Sequence, residues 1–398
     1  MDGLIGVTPT AEMLLERARG LIPILTERAS RQQEHRRILS ETIADLKTAG
    51  LFRILQPRRY GGYELDPGAF FDVQMALAEG DVSVGWVFGI VGVHSFHLAL
   101  FHDRAADEVW GKNSDALIAS PYSPGRAVPV EGGFRLTGKW KFSSGTEHCD
   151  WIFLGGVVDH GDSHASFLEA DYRTFLLPRK DYQIIDTWKV IGLKGTGSQD
   201  IAVDGAFVPE HRTHAMRDAT NGTNPGSAPK QSALYRYPYW QVFLRTVSTA
   251  AIGGLQGMVN AFVEYGSRRV SVTGAKTILD PDATLALAEA RAGIDEMKAT
   301  LHRNFTRMAP YAEQSEMPPL DDRLLFKFQC VSVAKRCQAL ALPLFAAAGG
   351  SGIFENQPFG RFYTDILTTG NHVGNHYQSA GRNWGGVMMG LESQDTLF

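Results

Sequence analysis

The sequence predicts an α+β fold in which helices flank a small β domain, and three observations carry that order. Up to about residue 115, apolar residues recur at helical spacing between Ser, Asp and Pro start signals. From roughly 116 to 212, short runs rich in Val, Ile, Phe, Thr and Trp are separated by Gly, Pro and Asp, as in an antiparallel sheet or barrel. From about 240 the helical period returns, with Ile294, Met297, Leu301, Phe305 and Met308 forming one apolar stripe. The expected organisation is a helical domain over 1–115, a β domain over 116–212, a loop over 213–239 and a helical bundle over 240–398.

Within the first domain, Ser40 can cap a helix reaching Ala49, with Gly50 as its left-handed stop. Pro67 suits the first turn of the next helix, and Asp81 can cap an apolar helix holding Trp86, His94 and His97. The stretch VGWVFGIVGVHSFHLALF (84–101) is long enough for a bilayer. His94, Ser95 and His97 interrupt its middle, where polar groups are costly in lipid, so it reads as a buried helix. Asp103 starts a short helix, DRAADEVW.

The β domain is expected from ALIAS, GFRLTGKWKFSS, DWIFLGGVV, TFLLP, QIIDTWKVIG and DIAVDGAFVP. After it, DATNGTNPGSAPKQSALYRYPYW (218–240) has the length and composition of a lid, a binding loop or a plain linker. No repeat is visible. No GxGxxG joins a strand to a helix, which excludes a dinucleotide-binding βαβ unit.

Composition narrows the classes further. With 398 residues, 22 Phe, 12 Tyr and 7 Trp, the chain can bury a large core. Its 39 basic residues against 43 acidic ones give a net charge of -4, and neither Arg58-Arg59 nor Arg268-Arg269 makes a nucleic-acid footprint. Cys149, Cys330 and Cys337 are too scattered for a disulfide framework or a metal site, and they fit a reducing cytoplasm. MDGLIGVTPTAEMLLERARG lacks the basic flank and apolar run of a signal peptide. The expectation is a cytoplasmic protein with neither a membrane nor a nucleic-acid partner.

Three motifs then occur in a telling order: WKFSSG, EYGSRRV and AAAGGSGIFENQPFGRFYTDI. They resemble, respectively, the flavin-contacting strand, the phosphate-binding arginine helix and the glycine-rich turn of the acyl-CoA dehydrogenase fold. That fold implies an N-terminal helical domain, a middle β-barrel-like domain and a C-terminal four-helix bundle. LQPRRYGGYELDP, GWVFGIVGVHSFHLALF and WKFSSGTEHCDW are similar to the oxygenase components of two-component flavin monooxygenases, including p-hydroxyphenylacetate, secosteroid-phenol and polyketide hydroxylases. One departure from the dehydrogenases agrees with this. After Asp365, where they place their catalytic glutamate, ILTTGNHVGNHY carries His372 and no carboxylate occurs before Glu392.

The resemblance implies an enzyme that takes reduced FMN or FAD from a separate NAD(P)H:flavin reductase. It would react with O2 through a C4a-hydroperoxyflavin and hydroxylate a phenolic or polycyclic aromatic substrate as a homotetramer. The alternatives are a flavin dehydrogenase or an N- or S-oxygenase on the same scaffold, or a degenerate scaffold that only binds flavin.

The same resemblance assigns site residues. His94 is the expected base toward the substrate hydroxyl, since a neutral imidazole suits a phenol at pH 7. It follows Trp86, a cofactor-side residue, by eight positions, so the two are expected to share a helix face, and His97 is the structural alternative. Ser120 corresponds to a substrate-pocket serine, against the plain reading of a turn residue before Pro121. Ser143 takes the place of the hydroxyl at flavin N5 and Ser144 the neighbouring position, while Trp140 reads as core. Arg269 is the phosphate ligand, with Arg268 as the register alternative. His372 is placed over the flavin C4a side, with His376 able to exchange roles. Gly349, Gly350 and Gly352 permit close backbone approach to the cofactor, or simply end a helix.

Overall fold

In a computed structural model that describes residues 8–161 and 170–395, the N-terminal part is five helices: α1 (Ala11–His35), α2 (Ser40–Thr48), α3 (Pro67–Gly80), α4 (Val82–Leu98) and α5 (Asp103–Trp110). The expected caps are partly displaced. Ser40 is the first helical residue, with Leu39 at the cap position, while Asp103 starts α5 as expected and His102 caps it by accepting from the Arg104 amide. Asp66 caps α3 ahead of Pro67 as a proline at the first turn requires, and Asp81 caps α4 by accepting from the Ser83 amide at 2.8 Å. Every residue of α4 except Ser95 is buried, so its apolar character all round is that of a central helix in a globular core.

Eight strands follow: β1 (Ile118–Ala119), β2 (Gly125–Val130), β3 (Gly133–Ser143), β4 (Trp151–Val158), β5 (Tyr172–Pro178), β6 (Gln183–Ile185), β7 (Gln199–Pro209) and β8 (Thr213–Ala215). They form one sheet in the order β6-β7-β3-β2-β4-β5-β8, with β1 added on β4. The antiparallel expectation holds for most pairs, but β4 runs parallel to both β1 and β2. The intervening β3 and its turn supply the long return that a parallel pair needs. Only Gln183–Ile185 of QIIDTWKVIG is strand. Trp140 is core: it is fully buried and donates its indole N–H to the Gly155 carbonyl at 2.9 Å.

The segment 213–239 is less of a loop than its composition suggests. Thr213 pairs with Phe175 in the sheet, and helices α6 (Met216–Asn221) and α7 (Ala228–Gln231) follow. The last part contains α8 (Tyr239–Arg268), α9 (Pro281–Gln314), α10 (Leu320–Val331), α11 (Val333–Ala348), α12 (Pro358–Thr369) and α13 (Tyr377–Met388). Helix α8 packs against α9, α11 and α12 as a four-helix bundle, while α10 and α13 pack on each other beside it. The stripe from Ile294 to Met308 is buried on α9. Helices α3 and α4 also lie against α8, which makes it the spine shared by both helical parts. By length and composition α8 could cross a membrane, yet its most apolar window is wholly buried in protein.

Candidate active site

The end of β3 builds the first part of the site. Between Trp140 and Ser143 the register with β7 shifts, and Phe142 takes φ +69°, a conformation rare for a bulky side chain. The bulge turns Phe142 outward, 63% exposed, and Ser143 inward, fully buried. Gly145 completes the turn at φ +67°, and a Cβ there would lie 2.7 Å from Val87 on α4, so only glycine lets this loop close over the helix.

The two adjacent serines have different fates. Trp86 donates its indole N–H to Ser144 Oγ at 3.1 Å, and Ser144, Ser198 and Thr196 are linked by hydroxyl contacts of 2.7 Å. Thr196 donates onward to the Leu193 carbonyl at 2.9 Å, which orders the whole chain of hydroxyls in one direction. Asp365 of α12 anchors that carbonyl's residue by accepting from the Leu193 amide. Ser144 is therefore satisfied within the protein. Ser143 Oγ, buried and without a partner, is not. A lone buried hydroxyl is costly unless something else bonds to it.

His94 presents a matching case at the other end of α4. Its Nδ1 lies 2.7 Å from the Ile118 carbonyl, which can only accept, so Nδ1 carries the proton and Nε2 holds a lone pair. Nε2 is buried with no partner. Burial pushes the His94 pKa down to about 4, with the bond to Ile118 opposing, so the ring is neutral near pH 7. Phe153 meets the ring edge-on at 5.4 Å, and Tyr122 lies 6.1 Å away. Ser120 is buried.

Trp86 meets Ser144 and His372, whereas His94 meets Ile118, Tyr122 and Phe153. Eight residues at 100° each leave them about 80° out of line and about 12 Å apart along the axis. One helix thus serves two regions, with Trp86 in the Ser144 region and His94 in the Ser120 region. His97, one turn beyond His94, is buried among Tyr122, Tyr239 and His214. Tyr122, Tyr239 and His214 had no signal of their own in the sequence beyond the aromatic end of the 218–240 stretch.

The C-terminal part brings His372 to Trp86, ring to ring at 5.6 Å. His372 sits in the turn after α12, which Asn375 pins by donating to the Val247 and Thr369 carbonyls at 2.7 Å each. His372 Nδ1 accepts from the Gly374 amide at 3.0 Å, so the neutral ring has its proton on Nε2. Its edge still meets solvent, yet the surrounding protein and then His376 push its pKa down to about 4. His376 is exposed and borders a different feature, an open cavity of ≈ 690 Å³ lined also by Lys335, Tyr377 and Arg382. Neither His94 nor Ser143 lines that cavity.

Arg269 ends α8 with one guanidinium nitrogen held by Thr277 Oγ1 at 3.0 Å. Gly349 has φ +65°, and a Cβ on it would stand 2.3 Å from the other terminal nitrogen. The glycine-rich turn and the arginine therefore meet, while Arg268 points away to Glu264 at 3.6 Å with both side chains well exposed. Gly352 packs against Ala348, and Gly350 faces open space. Among the described residues no group of His, Cys, Asp or Glu could hold a metal ion.

Residues 245–377 match the family described as acyl-CoA dehydrogenase, C-terminal domain. The chain is 34% identical over 387 residues to a flavin-dependent monooxygenase, oxygenase subunit HsaA, of Rhodococcus jostii (strain RHA1), covering 96% of this chain and 100% of the relative. It belongs to the flavin-dependent monooxygenase oxygenase components. An FADH(2)-dependent resorcinol hydroxylase, oxygenase component, of Rhizobium sp. (strain MTP-10005) is 31% identical, with 95% of this chain and 94% of that one covered. The crystal structure of 3-HSA hydroxylase from Rhodococcus sp. RHA1 superposes with a TM-score of 0.92 at 34% identity, covering 97% and 98% of the two chains. As an oxygenase component of this family, the protein is a flavin-dependent monooxygenase with the acyl-CoA dehydrogenase fold, and it uses reduced flavin.

Proposed function

We propose that this oxygenase component hydroxylates a phenolic aromatic substrate, and that His94 receives the substrate hydroxyl. The observation that carries this reading is the His94 ring: its tautomer is set by Ile118, and its unpartnered Nε2 lone pair is buried. Such an acceptor is left wanting a donor, and a phenol O–H supplies one. Drawing that proton away makes the aromatic ring more nucleophilic, and Ser120 and Tyr122 flank the same position.

Reduced FMN or FAD, when bound, supplies the electrons that activate O2. The residues present fit such a group. Ser143 offers a buried hydroxyl at the end of β3 that the protein leaves unbonded, suited to the flavin N5–H. His372 offers Nε2–H beside Trp86, and Arg269 at Gly349 offers a guanidinium to a phosphate. Assembly as a homotetramer is supported by apolar side chains left exposed around the α8–α9 connection and the glycine-rich turn, among them Val272, Leu279, Ile353 and Phe354. The three free, buried cysteines support a cytoplasmic location.

Two tests follow. Alone, the protein is expected to oxidise neither NADH nor NADPH, and a flavin reductase with FMN or FAD should switch on phenol-dependent oxygen uptake. Efficient NAD(P)H oxidation by the protein alone would overturn the two-component reading. Ser143→Ala is expected to leave the flavin-free protein as stable as the wild type or about 1 kcal/mol more stable, because an unsatisfied hydroxyl is removed. With flavin and reductase, the same variant should divert several-fold more oxygen to hydrogen peroxide. Unchanged coupling of oxygen to product would move the flavin contact away from Ser143.

A further inference from the structure

Asp365 of α12 is a wholly buried carboxyl that makes a single hydrogen bond. Its Oδ1 accepts from the Leu193 amide at 2.5 Å, and its Oδ2 is buried without a partner. Burial, then the charge of Asp81, push its pKa up to about 7 against the Leu193 bond, Arg361 and Lys194. A leucine would fill the same space without that cost, so the bond to Leu193 is what the carboxyl contributes.

Leu193 needs such a hold. It is a buried leucine at φ 53° and ψ 34°, a left-handed conformation that persists only where the surroundings impose it. Asp365 fixes its amide, while its carbonyl accepts from the Thr196 hydroxyl at 2.9 Å and the Trp188 indole at 3.0 Å. The turn that follows packs on α1 and α4, and two links run from it to the end of β3. The Thr196 hydroxyl reaches Ser144 through Ser198, with 2.7 Å at each step, and Ser144 accepts from the Trp86 indole. The Thr196 carbonyl accepts from the Gly145 amide at 2.9 Å. Both residues after Ser143 are therefore held by Thr196.

We infer that Asp365 is a positioning residue for the flavin: by fixing the Leu193–Thr196 turn, it sets where Ser143 and Trp86 meet the ring. The inference rests on the reading of Ser143 and Trp86 as flavin contacts. Without the carboxyl, the Leu193 amide has no acceptor and the left-handed turn is free to relax. Its carbonyl then leaves the Thr196 hydroxyl, and the chain of hydroxyls loses the acceptor that orders it. Ser143 moves with Ser144 and Gly145, because they are its immediate neighbours in the chain.

The test uses the full chain in two measurements: hydrogen exchange at the Gly145 amide of the flavin-free protein, and anaerobic titration with reduced FMN and reduced FAD. Asp365→Ala is expected to exchange Gly145 about fivefold faster or more and to weaken flavin binding by a similar factor. Amides around His94, at the other end of α4, should exchange as in the wild type. Asp365→Asn keeps an oxygen for the Leu193 amide and should recover most of both losses. Thr196→Val removes only the hydroxyl link, and it should weaken flavin binding several-fold even if Asp365→Ala fails to fold. Wild-type exchange at Gly145 in Asp365→Ala would overturn the inference, as would a loss that Asp365→Asn leaves unrepaired or wild-type flavin affinity in Thr196→Val. Faster exchange at Gly145 with flavin affinity untouched would instead overturn the reading of Ser143 and Trp86 as flavin contacts, and the inference with it.

Discussion

His94→Ala is expected to slow hydroxylation of a phenol by about 100-fold or more while flavin-dependent oxygen uptake continues. The cause is local. In the wild type the Ile118 carbonyl holds Nδ1–H and leaves Nε2 unpartnered, the acceptor we propose for the phenol, and alanine removes it without touching the Trp86 region. Oxygen consumed without product should then appear as hydrogen peroxide. The pH profile carries the diagnosis. His94 has its pKa near 4, so from about pH 5 upward it is neutral and the wild type has its acceptor in full. A phenol ionises unaided near pH 10, so the defect in His94→Ala should shrink as pH rises toward that value. The measurement is single-turnover product formation across pH with a fixed reduced flavin. A normal rate at every pH would remove His94 from the site and leave His97, or a substrate without a phenol, as the better reading.

His372→Ala is expected to act earlier, before the substrate matters. Its Nε2–H is the free donor beside Trp86, because Gly374 occupies Nδ1, and a neutral donor next to the flavin can stabilise charge as oxygen is reduced. Loss of one such donor is worth about 100-fold in favourable cases. The flavin oxidation rate on rapid mixing with oxygen should therefore change even without an aromatic substrate, and high pH should not repair it. His372→Gln, whose amide N–H reaches about as far as Nε2–H, should recover part of the loss. If His372→Ala alters only the substrate-dependent step, the two histidines act on the same event, and the separation of the site into two regions along α4 is wrong.

Much of this protein is visible in local pattern. The Ile294 to Met308 stripe, the cap at Asp81, the buried helix through His94 and the order of helices, strands and helices all follow from periodicity and end signals that neighbouring residues set together. The motif glycines also speak locally, since Gly145 and Gly349 adopt positive φ. The sheet departs from the antiparallel expectation at β4, whose parallel pairing with β1 and β2 depends on how distant segments meet. The β8 strand was missed for the same reason: Thr213–Ala215 is too short to show a period and exists only because β5 offers an open edge.

The sequence by itself determined the class of helix, strand and bundle, the absence of a dinucleotide-binding motif, and the residue types from which a flavin oxygenase site can be made. Tertiary structure alone decided which of those residues have unmet hydrogen-bonding capacity. Ser143 and Ser144 are identical and adjacent, yet Trp86 and Ser198 satisfy one and leave the other bare. His94 and His97 are one turn apart, yet the first keeps a buried free lone pair and the second is bonded to Tyr122 and His214. The physical reason is that a hydrogen bond is settled within a few tenths of an ångström by partners that are often more than fifty residues away, whereas spacing along the chain sets only which face a side chain leaves from.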